Sequence, residues 1–250
     1  MILGISGKKQ SGKTTSGNFI ISLFMANLGV SNKIHIDDNG DIIISDLFGD
    51  GNYAGKFDMV NSIGSSDFLI NKAIDVLNPN IRLYSFADPL KKDICMNILG
   101  LTHEQCYGSD NDKNTLTNLS WKDMPGYDGE KTDYMTAREV MEYVGTGIFR
   151  KMKKDVWVSA VIKKIEIDSP KLAIITDCRF PDEIDSIKKN NGKVIRLTRD
   201  KYSSKHESET VLDETNYDWS NFDAVVKNDD LSIYDQCLKI QDILQEVLGL

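Results

Sequence analysis

Residues Gly7-Lys8-Lys9-Gln10-Ser11-Gly12-Lys13-Thr14 set two glycines with four residues between them and follow the second with a lysine and a hydroxyl. This is the P-loop pattern. Glycines let backbone N–H groups turn inward around phosphates, the following helix N-terminus adds positive partial charge, the lysine reaches the transferred phosphate, and a hydroxyl ligates magnesium. Gly7, Ser11, Gly12, Lys13 and Thr14 are therefore candidates for binding ATP and Mg2+. Thr14 is the expected metal ligand, with Thr15 a near alternative.

Further chemistry lies downstream. Asp177 ends the apolar run Leu172-Ala173-Ile174-Ile175-Thr176-Asp177, where it either holds magnesium or its water, or caps the next helix. Arg179 would point into the same crevice, and Glu183, four residues on, could pair with it along a helix. Phe86-Ala87-Asp88-Pro89-Leu90-Lys91 sets an acid and a lysine at a strand-to-helix transition. Either a second phosphate substrate sits there, or Asp88 is a cap and Lys91 a solvated surface group.

Of 30 basic residues only six are arginine, and Arg138, Arg150, Arg179, Arg196 and Arg199 fall after residue 130. A guanidinium binds phosphate through two parallel hydrogen bonds, so in a lysine-rich chain these are phosphate candidates as well as ordinary surface groups. Arg196 and Arg199 precede the polar stretch 200–216, which could fold over the nucleotide and exclude water. His206 within it reads as a polar loop residue rather than a base, since phosphoryl transfer needs positioning more than proton abstraction. His35, His103 and His206 have no metal-ligand spacing, and Cys95, Cys106, Cys178 and Cys237 form no Cys-x-x-Cys pair.

The elements that must position these groups are legible. Ile2 to Ser6 reads as a buried strand, and Phe19, Ile20, Leu23, Phe24 and Leu28 repeat at helical spacing up to Gly29. Residues 31–80 look like an insertion in which two apolar runs flank Asp37-Asp38-Asn39-Gly40-Asp41, a hairpin signal. Ile81 to Phe86 is a strand, Pro89 starts a helix ending at Gly100, and 107–133 shows no period and reads as a substrate or lid loop region. Thr136 starts a helix closed by Gly145-Thr146-Gly147, and Asp155 caps another. Strands at 172–177, 194–197 and 224–226 alternate with helices from Pro181 and from about Leu231. The expectation is one α/β domain over 1–250, three-layered around a mostly parallel sheet, with a small β-hairpin insertion.

A composition of 40% hydrophobic and 27% charged residues suits a globular chain that buries its own core. A net charge of -8 argues against polynucleotide or anionic membrane as partner. No run approaches the ~18 apolar residues of a membrane span, so the expected compartment is the cytoplasm, that of the host if the chain is phage-encoded.

Together these segments resemble the phage-type deoxynucleoside monophosphate kinases, a branch of the P-loop nucleotide kinases. The resemblance covers most of the chain outside 31–80. It rests on the P-loop; on Phe86-Ala87-Asp88-Pro89-Leu90-Lys91-Lys92; on Thr136-Ala137-Arg138-Glu139 leading to Gly145-Thr146 and Asp155-Val156-Trp157-Val158; and on Thr176-Asp177-Cys178-Arg179-Phe180-Pro181-Asp182-Glu183. It implies transfer of the ATP γ-phosphate to a deoxynucleoside monophosphate with Mg2+, by a homodimer. By position, Gly12, Lys13, Thr14 and Thr15 would hold ATP and metal, with Arg196 or Arg199 from the lid. Lys9, Leu90, Lys91, Lys113, Arg138, Gly145, Thr146, Trp157, Asp177, Arg179 and Glu183 would line the monophosphate side. Lys13, Arg138 and Arg179 would be catalytic, and Trp157 either stacks on the acceptor base or belongs to the core. The family often has an acid directly after the P-loop lysine, where this chain has Thr14. The alternatives are a P-loop kinase for another small acceptor, or an ATP-gated binding module that phosphorylates nothing small.

Overall fold

The computed structural model describes residues 1–37, 39–47, 54–60, 67–78, 80–129, 133–201 and 207–248. They fall into two compact units, Met1–Ser85 with Lys164–Leu250, and Phe86–Lys163. Along the chain, β1 (Ile2–Ser6) leads through the glycine loop into α1 (Lys13–Asn27). An arm of β2 (Ser31–Ile36), β3 (Ile42–Leu47) and β4 (Ala54–Lys56) follows, then α2 (Asp67–Leu77) and β5 (Ile81–Tyr84). The middle carries a π-helical run (Pro89–Met96), α3 (His103–Tyr107), α4 (Asp110–Lys113), β6 (Leu116–Ser120), β7 (Tyr134–Thr136), α5 (Ala137–Glu142), a second π-helical run (Tyr143–Phe149), α6 (Arg150–Met152) and α7 (Val156–Asp168). The last third runs β8 (Leu172–Cys178), α8 (Pro181–Lys189), β9 (Lys193–Leu197), the short α9 (Glu207–Thr210), β10 (Ala224–Val226) and α10 (Ile233–Leu248).

The first unit is built on a five-stranded sheet ordered β10-β9-β1-β8-β5. Every pairing in it is parallel. A strand covered on both faces has no reason to alternate, which is why Ile2 to Ser6 is buried at every position. Leu3 and Ile5 of β1 join Phe19 and Ile20 of α1 and Cys237, Ile240 and Leu244 of α10 in one core. The opposite face meets α8, where Ile187 lies against Gly4 so closely that a Cβ there would be 2.7 Å from it. Helix, sheet and helix therefore make the three expected layers.

The hairpin expected at 31–80 is present, with Ile36 opposite Ile42. Its turn is closed by Asp37, whose Oδ1 accepts from the N–H groups of Asn39 (3.0 Å) and Asp41 (2.8 Å). The structure adds β4, antiparallel to β3, and the helix α2. Ala-Gly-Lys is too short to register as a strand by periodicity.

The second unit packs around Cys95, Leu101, Cys106, Met135, Ala137, Val140 and Val144. Where a loop was expected over 107–133, Ser109 and Asp112 form a capping box that starts α4. A pairing of β6 with β7 follows. The helix starting at Thr136 does not stop at Gly145. It rewinds into the π-helical run and continues to Met152. Glycine disfavours a helix by only about 1 kcal/mol, and here Leu90 packs on Gly145 while the Trp157 indole N–H donates to the Gly145 carbonyl at 3.3 Å.

The four cysteines are buried free thiols, and burial pushes Cys95 and Cys237 up to about 12. Among the described residues no helix is long and apolar enough to cross a membrane.

Candidate active site

The turn from β1 into α1 depends on glycine. Gly12 has φ +100°, and a Cβ there would lie 2.5 Å from the Gln236 amide; a Cβ on Gly7 would lie 2.2 Å from Ser11 Oγ. Two fully buried amides brace this loop. Asn228 Nδ2 donates to the Ser11 carbonyl (2.8 Å) and to Gln236 Oε1 (2.7 Å), while Gln236 Nε2 donates to the Gly12 carbonyl (3.3 Å) and Ser16 Oγ (3.0 Å). Neither residue was singled out from sequence. Gln236 did carry a signal, a polar residue on the apolar face that holds Ile233, Cys237, Ile240 and Leu244.

Lys13 is 8% exposed. Its Nζ donates to the loop's own carbonyls, Gly7 O at 2.7 Å and Lys8 O at 2.5 Å. Burial, and then the Arg179 guanidinium, pull its pKa down to about 7 against the opposing influence of Glu209 and Asp177. Ser11 Oγ is buried without a hydrogen-bond partner among the described residues. Such a hydroxyl costs about 1–3 kcal/mol until something polar reaches it.

Asp177, at the end of β8, accepts from Ser85 Oγ at 2.6 Å. Arg179 sends its guanidinium to Glu209. Its backbone N–H goes to Glu183 Oε2 at 2.6 Å, which also takes the Phe180 N–H at 3.0 Å. Arg179 and Glu183, paired by their spacing, are thus joined through the backbone as a cap on α8. Burial, then Asp177, raise Glu183 to about 8.

Acids of the 200–213 stretch meet the P-loop directly, which the sequence did not specify. Lys8 Nζ lies 2.8 Å from Asp200 and 2.9 Å from Asp213. The Lys9 N–H donates to Glu209 Oε2 at 2.5 Å. His206 lies outside the described residues. Arg196 and Arg199, the lid candidates, are both buried. Arg196 donates to Ser6 Oγ at 3.0 Å and lies over the Trp219 and Phe222 rings. Arg199 donates to the carbonyls of Asn228 (3.0 Å) and Leu231 (2.6 Å). In this placement they hold the unit's own framework.

Thr14, Thr15 and Asn18 of α1 open onto a cavity of about 100 Å³ whose other wall is the arm, with Asp41, Lys56 and Asp58. Asn18 latches that wall: its Nδ2 donates to Asp58 (2.8 Å) and its Oδ1 accepts the N–H groups of Met59 (2.9 Å) and Val60 (3.0 Å). No group of three or more His, Cys, Asp or Glu among the described residues could hold a metal. Mg2+ bound through a hydroxyl, a carboxylate, phosphates and water needs no such group.

In the second unit, Leu90 and Trp157 both meet Gly145, with the Trp157 ring 5.2 Å from Phe149 and 7% exposed. Thr146 is exposed beside them. Lys91 sits over the Tyr107 ring, whose hydroxyl donates to Asp88 at 2.8 Å. Lys113 donates to the Gly108 carbonyl at 2.6 Å. Arg138 reaches Asn114 (3.0 Å) and Asp110 (2.8 Å). The candidates for the monophosphate side thus divide into Lys9, Asp177, Arg179 and Glu183 in the first unit, which also holds the P-loop, Arg196 and Arg199, and Leu90, Lys91, Lys113, Arg138, Gly145, Thr146 and Trp157 in the second.

Residues 80–237 match the sequence model of a family described as deoxynucleotide monophosphate kinase. A protein of Acanthamoeba polyphaga mimivirus, provisionally named a deoxynucleotide monophosphate kinase, is 28% identical over 145 residues, 51% of this chain and 67% of the relative.

Proposed function

The chain belongs to the deoxynucleotide monophosphate kinase family, and on that premise we propose that it transfers the γ-phosphate of ATP to the 5′-phosphate of a deoxynucleoside monophosphate. One observation carries the reading: Arg179 and Asp177 lie within electrostatic reach of the buried Lys13. A P-loop alone promises a triphosphate site; a guanidinium and a carboxylate beside its lysine add the means to hold a second phosphate and a metal.

The residues fit the expected ligands. Gly7 and Gly12 leave a cradle that a side chain would fill, and Ser11 Oγ is a buried hydroxyl in want of a partner. Mg2+, for which the Thr14 or Thr15 hydroxyl and Asp177 are the donors, would neutralise charge shared between the terminal phosphates. Lys13 leaves the Gly7 and Lys8 carbonyls for phosphate oxygen and is fully protonated there, because the incoming charge raises its pKa. Arg179 fixes a phosphate in line, and for the second unit the same reading assigns Lys91, Lys113 and Arg138 to the acceptor nucleotide. Positioning and electrostatics then supply the catalysis, and no side chain need act as nucleophile.

The test is a coupled assay with ATP, Mg2+ and a panel of ribo- and deoxynucleoside monophosphates, read as diphosphate product. Turnover of a deoxynucleoside monophosphate is expected, with Lys13→Ala folded and inactive. A panel with no turned-over member sinks the proposal.

A further inference from the structure

A P-loop is an anion site, and in this structure part of it already holds an anion from the chain itself. Glu209 is 9% exposed. Its carboxylate accepts the Lys9 N–H at 2.5 Å through one oxygen and the Arg179 guanidinium through the other. These are a P-loop backbone donor and a guanidinium, the two kinds of group that hold phosphate best. Asp200 and Asp213 take Lys8 in the same way.

The cause is electrostatic. Burial and the nearby Arg179 and Arg196 guanidinium groups lower the pKa of Lys13, so the site carries crowded positive charge in a desolvated place. A carboxylate relieves that crowding. A substrate phosphate would relieve it better, but it cannot enter beside a carboxylate that holds the same donors, because like charges a few ångströms apart repel strongly where water is excluded.

The geometry points to Glu209 as a resident stand-in for a substrate phosphate: it fills the Lys9–Arg179 position and is displaced when a terminal phosphate dianion binds. The inference rests on the P-loop reading above and adds the identity of the group that phosphate must replace. A protein with part of its population held by Glu209 shows an apparent Kd raised by the inverse of the free fraction. Removing the charge removes that penalty.

Glu209→Gln keeps the side chain's shape and one acceptor oxygen. Its affinities for ATP, for inorganic tripolyphosphate and for each of the four deoxynucleoside monophosphates would be measured by calorimetry beside the wild type, at a pH low enough that Lys13 takes up no proton on binding in either protein. About tenfold tighter binding is expected for whichever ligand puts its phosphate between Lys9 and Arg179. Tightening of ATP and tripolyphosphate assigns the position to the donor, and tightening of a monophosphate alone assigns it to the acceptor. Unchanged or weaker binding of every ligand by a folded variant overturns the inference, since a residue that merely positions Arg179 weakens binding when lost. Glu209→Asp is the second variant. Its carboxylate is one methylene too short to span both donors, so a smaller tightening is expected and none at all overturns the idea. A wild type that binds neither ATP nor tripolyphosphate fails the P-loop reading itself.

Discussion

Lys13 is legible from its motif, but its charge state is not. Only the folded site supplies the burial and the Arg179 guanidinium that bring its pKa to about 7. Phosphate favours the ammonium, so binding above pH 7 must draw a proton from solvent. ATP affinity is therefore expected to fall by up to about tenfold per pH unit above 7. Calorimetry in buffers of different ionisation enthalpy reads this as proton uptake, which Lys13→Met should abolish. Glu209 holds the Lys13 pKa up, so Glu209→Gln should move the onset of the fall to lower pH; an onset moved upward would contradict the electrostatics described for the site.

The loop between β1 and α1 is only as rigid as what supports it. The Asn228 amide links β10's end to the Ser11 carbonyl and to Gln236 of α10, with all three residues fully buried. Asn228→Ala leaves those partners buried and unsatisfied, and a loss of about 1–3 kcal/mol is expected in urea unfolding, with weaker ATP binding. Asn18 performs the same service between α1 and the arm, through three hydrogen bonds. Asn18→Ala should cost about 1–3 kcal/mol as well, and unchanged stability would mean the arm is not latched there. The arm's hairpin could be read because Asn-Gly between apolar runs is a local signal. Its docking could not, since hydrogen bonds between residues some forty positions apart leave no periodicity.

At the scale of the whole molecule, nucleotide binding should appear as stability. Ligand at 100 times its Kd adds about 2.7 kcal/mol, and each kcal/mol shifts the melting temperature of a chain this size by about 2–4 °C. A rise of roughly 5–10 °C with Mg-ATP is expected by differential scanning fluorimetry, and none in Lys13→Ala. The order of the five parallel strands, the helices that follow them and the glycine loop were written in local sequence, because buried strands, helix starts and P-loops have short-range chemical signatures; β4, α2, α4 and the β6–β7 pair were not. The division into Met1–Ser85 with Lys164–Leu250 and Phe86–Lys163 was not. Nor were the joining of Arg179 and Glu183 through a backbone N–H, the use of Arg199 on backbone carbonyls, or the helix that runs on through Gly145. The sequence by itself determined the glycine loop that sets Lys13 at the head of α1, since eight consecutive residues suffice to specify that turn. Only the tertiary structure decided that Glu209, Asn228 and Gln236 surround it, because each comes from about 200 residues or more away and such meetings are fixed by packing.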